Sequence, residues 1–162
     1  MTKEEFITAA TAAAQASSAG SGFPPGVTVA QAALESAWGA SELSRVANNY
    51  FGIKARPSHV AVELPTLEYV GGSPVHIPAR FAKYDSIVEC FADRDLMIAS
   101  LPQYQEARVV AADPAAFVRA LARHWATDPG YAEKVLKTYH AHGLERLDEQ
   151  SPVASGQSQL ET

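Results

Sequence analysis

The spacing of apolar and polar residues is most informative over positions 28–54, which read TVAQAALESAWGASELSRVANNYFGIK. At 100° of rotation per residue, its first part predicts a helix with a small-residue surface on one side and a polar surface on the other. The small-residue surface consists of Ala30, Ala33, Leu34 and Ala37, and the polar surface of Gln31, Glu35 and Trp38. We expect Gly39 to end this helix, Ser41 to cap a short second helix, and Asn48-Asn49 to end that one.

The remaining periodicity is also mainly helical. Capping boxes, in which Thr or Ser precedes Glu by three positions, occur at Thr2 and Ser86 and predict helices that end near Ser17 and Ala99. A short helix is expected over 103–110, a longer one after Asp113-Pro114, and a last one from the DPGY segment to about Gly143.

A different pattern occupies residues 56–80, where apolar and polar positions alternate as they do in strands. TLEYV-GGS-PVHIPARF predicts a small β-hairpin, with a glycine turn and with short strands that prolines confine to edges. Such a hairpin is expected to be mobile. The predicted fold class is therefore α+β, mainly α, with the hairpin as a separate lobe beside the Glu35 helix. We expect one domain over residues 1–147 and a disordered tail over 148–162.

Composition narrows the class of protein. A chain of 162 residues with 47% hydrophobic content suits one globular domain, and a net charge of -5 does not favour a nucleic-acid partner. Cys90 is expected to be buried filler, and no run reaches the length of a membrane span. The amino-terminal MTKEEFITAA lacks the charge pattern of a signal peptide, so we expect any action outside the cytoplasm to depend on export by a holin or another route.

Glu35 is the residue that first suggests chemistry. A single glutamate on a helix is usually a solvated charge, but this one is flanked by small residues and is followed at i+3 by Trp38. A carboxyl group shielded from water has its ionised form disfavoured, so it can remain protonated and act as a general acid. An enzyme that cleaves acetals needs a group of this kind.

The run AQAALESAWGASELSRVANNYFGIKA closely resembles the core motif of glycoside hydrolase family 73, the bacterial N-acetylglucosaminidases that degrade peptidoglycan. FITAATAAAQ, TLEYVGGSPVHIPARFAKYDSIVECFADRDLMI and ATDPGYAEKVL resemble the other blocks of that family in the same order, over roughly Phe6 to Leu144. The resemblance implies a lysozyme-like fold with Glu35 as the catalytic acid. It also implies cleavage of the β-1,4 bond between N-acetylglucosamine and N-acetylmuramic acid.

The resemblance suggests roles for further residues. Glu68 in TLEYVGG matches the hairpin glutamate that is the usual second carboxylate, although Gly71 replaces a common asparagine, and Tyr131 in DPGYA matches an active-site tyrosine. The expected substrate-binding residues are Gln31, Trp38, Asn49, Tyr50 and Phe51. For Trp38, and for one of Tyr50 and Phe51, the alternative to substrate binding is a packing role in the core. No metal or other cofactor is expected, and Asp93 and Asp95 are interpreted as surface or capping charges.

Several alternatives remain open at this stage. The N-acetyl group of the substrate can itself attack the anomeric carbon, which would make Glu68 an orienting group instead of a base. A muramidase or a lytic transglycosylase can use the same fold, and a wall-binding or flagellar-assembly module without turnover is the alternative outside enzymes. The expected partners are peptidoglycan glycan strands outside the cytoplasm, with no nucleic acid, no membrane and no second protein copy.

Overall fold

The structure is a computed structural model that describes residues 1–149. Within that range the structure has eight α-helices and one two-stranded antiparallel sheet, which confirms the expected mainly helical α+β class. A single 3-10 turn, Pro102–Tyr104, joins the fourth and fifth helices. The elements are α1 Lys3–Ser21, α2 Pro25–Ser36, α3 Glu42–Ala47, β1 Val60–Val70, β2 Ser73–Lys83, α4 Ile87–Ser100, α5 Gln105–Val109, α6 Pro114–Trp125, α7 Tyr131–Ala141 and α8 Glu145–Glu149.

The helix α2 is the centre of the fold. Every residue from 25 to 33 is buried, and α1, α7 and α8 pack around it. At its amino-terminal end a Cβ atom on Gly26 would collide with the carbonyl oxygen of Leu144, so only glycine permits this close approach of α2 and α8. The neighbouring helices thereby hold α2 rigidly, with Glu35 in its last turn.

The helix α8 secures the beginning of α2. Asp148 accepts hydrogen bonds from the Gly26 amide at 2.7 Å and from the Tyr139 hydroxyl at 2.6 Å. Asp148 and Glu149, the first two residues of the predicted tail, therefore belong to the folded domain. The rest of that predicted tail, residues 150–162, lies outside the described residues.

The end of α2 differs from the expectation that Gly39 terminates it. The helix ends at Ser36, and Ala37 and Trp38 follow with φ values of 50° and 58°. The Ser36 hydroxyl donates to the Ala32 carbonyl and accepts from the Gly39 amide, which closes the turn early. The left-handed conformation costs a non-glycine residue about 1–2 kcal/mol, so packing around Trp38 must hold this turn in place.

The hairpin is longer than its sequence suggested, since each strand has eleven residues. Gly71 and Gly72 both have positive φ, as a two-residue turn of the common hairpin type requires. Pro65 lies opposite Pro78, and Pro74 lies opposite Tyr69. Opposite pairs alternate between hydrogen-bonded and non-bonded types, and all three prolines fall on the non-bonded type. They remove no bond between the strands, so the expectation of short strands was wrong.

Among residues 1–149, the backbone hydrogen bonds that join the hairpin to the rest of the protein all lie at its base. Lys54 pairs with Phe81, and the Ala82 amide donates to the Ile53 carbonyl at 3.0 Å. From residue 67 to residue 78 every side chain is exposed. The outer part of the hairpin is therefore an arm that projects from the helical body.

Cys90 is fully buried in α4, as expected. Its thiol faces the amide of Tyr50 at 3.4 Å, and burial raises its pKa to about 12. This thiol therefore stays protonated and unreactive at neutral pH. Across residues 1–149, no helix combines the length and the apolar character that crossing a membrane requires.

Candidate active site

Glu35 and Tyr131 form the centre of the candidate site, although they are 96 positions apart in sequence. Glu35 lies in the last turn of α2, and Tyr131 is the first residue of α7, which packs on α2. The Tyr131 hydroxyl donates a hydrogen bond of 2.6 Å to Oε1 of Glu35. The short distance is typical of a charge-assisted bond between a hydroxyl and a carboxylate.

Burial raises the pKa of Glu35 above its ordinary value of 4.5. The hydrogen bond from Tyr131 opposes this effect, because it stabilises the ionised carboxylate. The neighbouring side chain of Trp125 has a smaller effect in the same direction. The outcome is a carboxyl group that holds its proton above the pH at which a solvated glutamate loses it.

The indole beside Glu35 therefore belongs to Trp125 and not to Trp38, which corrects the sequence expectation. Because α2 ends at Ser36, the side chain of Trp38 leaves the helix axis and packs on the ring of Phe6 at 5.8 Å and on the ring of His142 at 4.5 Å. Trp38 is thus a packing residue, which agrees with the alternative prediction of a core position. Trp125 belongs to the apolar stripe of α6, and this stripe was the sequence signal that could have identified it as a neighbour of the site.

Gln31 shares the face of Glu35, as the i, i+4 spacing predicts, but its side chain is only 1% exposed. Its amide nitrogen donates to the Tyr131 hydroxyl at 3.2 Å, and its amide oxygen accepts from Arg94 at 2.7 and 3.0 Å. A buried residue of this kind cannot contact substrate directly. Gln31 is therefore corrected from a substrate-binding residue to one that supports Tyr131.

Arg94 is the functional neighbour that sequence reasoning missed. It is fully buried in α4, where it also donates to the Thr28 hydroxyl and to Asp95. Its position between Phe91 and Ile98 on the buried side of α4 was the available signal, since arginine is almost never fully buried without partners.

The loop after α3 is structural at every position expected to bind substrate. Asn49 is 1% exposed, and it donates to the carbonyls of Ile53 and Ala82 while accepting from the amides of Phe51 and Ile53. Tyr50 packs against Phe6 and Phe91, and Phe51 packs against Phe91 and Trp125. All three side chains are buried, so the expectation that they contact substrate is corrected. They hold the base of the hairpin beside Glu35.

Gly52 marks the open side of the catalytic carboxyl group. Its φ is +70°, and a Cβ atom there would meet only one neighbour, Oε2 of Glu35 at 4.0 Å. Among residues 1–149, no group donates a hydrogen bond of normal geometry to Oε2, and that oxygen is not enclosed. A substrate oxygen can therefore approach Glu35 from the side of Gly52.

Glu68 makes no contact with Glu35. The base of the hairpin is marked by Phe81, which lies opposite Val62. Glu68 is six residues further along β1 than Val62. At about 3.3 Å per residue, this places Glu68 about 20 Å out along the arm. It shares a face with the half-buried Leu64 and Thr66, whereas Glu63, Pro65 and Leu67 on the other face are exposed. Glu68 therefore lies on the face that turns toward the helical body.

Asp93 and Asp95 are not surface charges, which corrects a further expectation. Asp93 accepts hydrogen bonds from Arg56, His59 and Tyr84 at 2.6–2.9 Å, so it ties the loop before β1 to α4. Asp95 is 4% exposed and pairs with Arg94 at 2.8 Å. Neither carboxylate is near enough to Glu35 to bond with it. Residues 1–149 contain no group of three or more His, Cys, Asp or Glu side chains arranged to hold a metal ion.

Known proteins resemble this chain in both sequence and structure. Residues 11–144 match the family described as "Glucosaminidase: Mannosyl-glycoprotein endo-beta-N-acetylglucosaminidase". A probable N-acetylmuramidase of Lactococcus lactis subsp. lactis is 33% identical over an alignment of 162 positions, which covers 96% of this chain and 37% of the relative. The exo-glucosaminidase LytG of Bacillus subtilis is 32% identical over an alignment of 133 positions, which covers 79% of this chain and 47% of the relative.

The catalytic domain of the autolysin Auto from Listeria monocytogenes has a similar structure. It superposes with a TM-score of 0.80 at 31% sequence identity, and the superposition covers 90% of this chain and 87% of that one. In contrast, the chain spans less than half the length of the two curated relatives.

Proposed function

Because the chain belongs to the glucosaminidase family of glycoside hydrolases, we propose that it is a peptidoglycan hydrolase. This membership confirms the resemblance to family 73. More specifically, we propose an endo-β-N-acetylglucosaminidase that cleaves the β-1,4 bond between N-acetylglucosamine and N-acetylmuramic acid. Its partners in this proposal are the glycan strands of the bacterial wall, on which it acts as a monomer outside the cytoplasm.

The observation that carries the proposal is the pairing of Glu35 with Tyr131. Burial favours the protonated form of Glu35, and the 2.6 Å bond from Tyr131 stabilises the carboxylate that remains once the proton has left. These are the two requirements of a general acid. In this mechanism Glu35 gives its proton to the glycosidic oxygen while the bond between that oxygen and the anomeric carbon breaks.

For the second half of the reaction we propose Glu68 as the base. It would accept a proton from the water that attacks the anomeric carbon. Glu68 lies about 20 Å out along the hairpin, so the arm must bend over the bound glycan before this step can occur. The exposed arm and its attachment at one end only support such a motion. In the alternative route the N-acetyl oxygen of the substrate attacks instead, and water opens the ring that it forms.

The proposal is tested with Glu35→Gln, which preserves the size of the side chain but removes the acidic proton. Clearing of purified cell walls should fall by about 10²–10⁴, with circular dichroism and thermal unfolding close to those of the unmodified protein. A folded Glu35→Gln protein that clears walls at the original rate would exclude Glu35 as the acid.

The position of the cut is tested separately by borohydride reduction of the digest. The proposed specificity predicts reduced N-acetylglucosamine at the new ends of internal fragments. Reduced muramic acid would indicate a muramidase, the activity after which the Lactococcus relative is named, and anhydro sugars would indicate a transglycosylase. Release of single sugars from chain ends would indicate exo action, the activity after which LytG is named.

A further inference from the structure

A continuous line of hydrogen bonds runs from α4 to the candidate acid. Arg94 donates through Nε and Nη2 to the amide oxygen of Gln31, at 3.0 and 2.7 Å. The amide nitrogen of Gln31 donates to the Tyr131 hydroxyl at 3.2 Å, and that hydroxyl donates to Oε1 of Glu35 at 2.6 Å. Apart from Glu35, every member of the line is buried.

The direction of each bond in this line is fixed by the chemistry of its first member. An arginine side chain has five N–H donors and no acceptor, so the part of Gln31 that faces Arg94 must be its oxygen. The NH2 group of Gln31 therefore faces Tyr131, and the Tyr131 oxygen must accept from it. The single hydrogen of the Tyr131 hydroxyl is then left to point at Oε1 of Glu35.

The hydrogen between Tyr131 and Oε1 belongs to the Tyr131 hydroxyl. The acidic proton of Glu35 therefore cannot lie between these two oxygens. We propose that Arg94 and Gln31 are positioning residues that fix the direction of the Tyr131 hydrogen bond and thereby place the acidic proton of Glu35 on Oε2. This inference rests on the proposed role of Glu35 as the general acid. Neither positioning residue touches substrate, since both act through Tyr131.

The placement has a chemical consequence, because Oε2 is the oxygen on the open side next to Gly52. A proton on Oε2 faces the direction from which a glycosidic oxygen can approach. When it is transferred, the negative charge left on the carboxylate is already hydrogen-bonded at Oε1, so no rearrangement of Tyr131 is needed.

The proton position can be measured without any mutation. In an atomic-resolution crystal structure obtained below the ordinary glutamate pKa, the C–O bond to the protonated oxygen is the longer of the two. We expect the longer bond at Oε2. A longer bond at Oε1, or two equal bonds, would overturn the inference, and neither result depends on whether Glu35 is catalytic.

The relay itself is tested with Gln31→Glu, a change of one atom that replaces the donor facing Tyr131 by an acceptor. Arg94 keeps its partner, but the Tyr131 hydroxyl is drawn to the introduced carboxylate, and Glu35 must donate to Tyr131 from Oε1. We expect kcat/KM to fall by about 10²-fold, in the range of a lost general acid. Thr28→Val is the matched control, because it removes a bond to Arg94 but leaves both of its bonds to Gln31.

A double-mutant cycle separates this relay from general damage to the site. Tyr131→Phe alone should lower kcat/KM by about 10- to 100-fold, the effect of one charge-assisted hydrogen bond. In the Gln31→Glu protein the same change should cost less than about threefold, since Tyr131 no longer supports the carboxylate. Costs that simply multiply, or a Gln31→Glu protein as active as Thr28→Val, would overturn the inference. If Gln31→Glu does not fold, the bond lengths decide the question.

Discussion

Replacement of Gly52 by alanine tests whether the open side of Glu35 is the side that receives substrate. The change adds one methyl group 4.0 Å from Oε2 and forces alanine into a φ of +70°. The left-handed conformation costs about 1–2 kcal/mol, which lowers the melting temperature of a domain of this size by about 2–8 °C. The methyl group does not clash with Glu35, so the fold should survive.

The effect on activity should be larger than the effect on stability. Proton transfer requires a glycosidic oxygen within about 2.6–3.2 Å of the acid, and the added methyl group occupies part of that path. A displacement of about 1 Å can lower the rate by about 10²-fold, so we expect a loss of this order in kcat/KM. The measurement is the initial rate of muropeptide release, accompanied by thermal unfolding of the same sample.

Gly22→Ala is the matched control for this experiment. Gly22 has a φ of +76° at the end of α1, and a Cβ atom there would meet no atom within 4 Å. It imposes the same backbone strain at the opposite end of α2, so the two variants should lose similar stability while only Gly52→Ala loses activity. If both variants clear walls at similar rates, substrate does not approach Glu35 past Gly52.

Three further predictions concern the hairpin, the pH profile and the thiol. Glu68→Gln should lower kcat by about 10²–10⁴ with less effect on KM. Glu63→Gln, on the opposite face of the hairpin, is its control and should keep the rate of the unmodified protein. If the two variants have equal rates, the N-acetyl route is favoured. Burial raises the pKa of Glu35, and the protonated form is the active one, so kcat/KM should fall as the pH rises through that raised pKa. A plot of kcat/KM against pH that falls at the ordinary pKa of glutamate would contradict this. Cys90, with a pKa of about 12, should resist iodoacetamide at about pH 8 until the protein is unfolded, which mass spectrometry can check.

The sequence predicted the helices and the hairpin well, because their signals are local. Capping residues and the glycine turn act within a few residues of each other, and the caps at Thr2, Ser86 and Asp113 and the turn at Gly71-Gly72 lie where expected. The end of α1 was placed near Ser17, but the helix continues to Ser21. The end of α2 was missed because Ser36 closes the helix through bonds that periodicity does not register. That single shift moved Trp38 away from Glu35.

The site was predictable only in part. The i, i+4 relation of Gln31 and Glu35 is a property of one helix, and Tyr131 entered through resemblance to a family. Burial of Gln31 and its bond to Arg94 depend on how α4 packs across α2, so no local pattern contains them. An asparagine before two aromatic residues likewise looks the same in a binding loop and in a structural one. Only the four bonds of Asn49 distinguish the two.

The proline register of the hairpin also bears on how copies of this protein behave toward one another. Two strands alone leave a free edge on each side, and such edges recruit strands from other molecules. Pro65, Pro74 and Pro78 all occupy positions whose amides would point outward along those edges, so each one deletes a donor that a foreign strand would need. An arm with exposed apolar side chains such as Tyr69 therefore offers fewer amide donors to a foreign strand than two uninterrupted edges would.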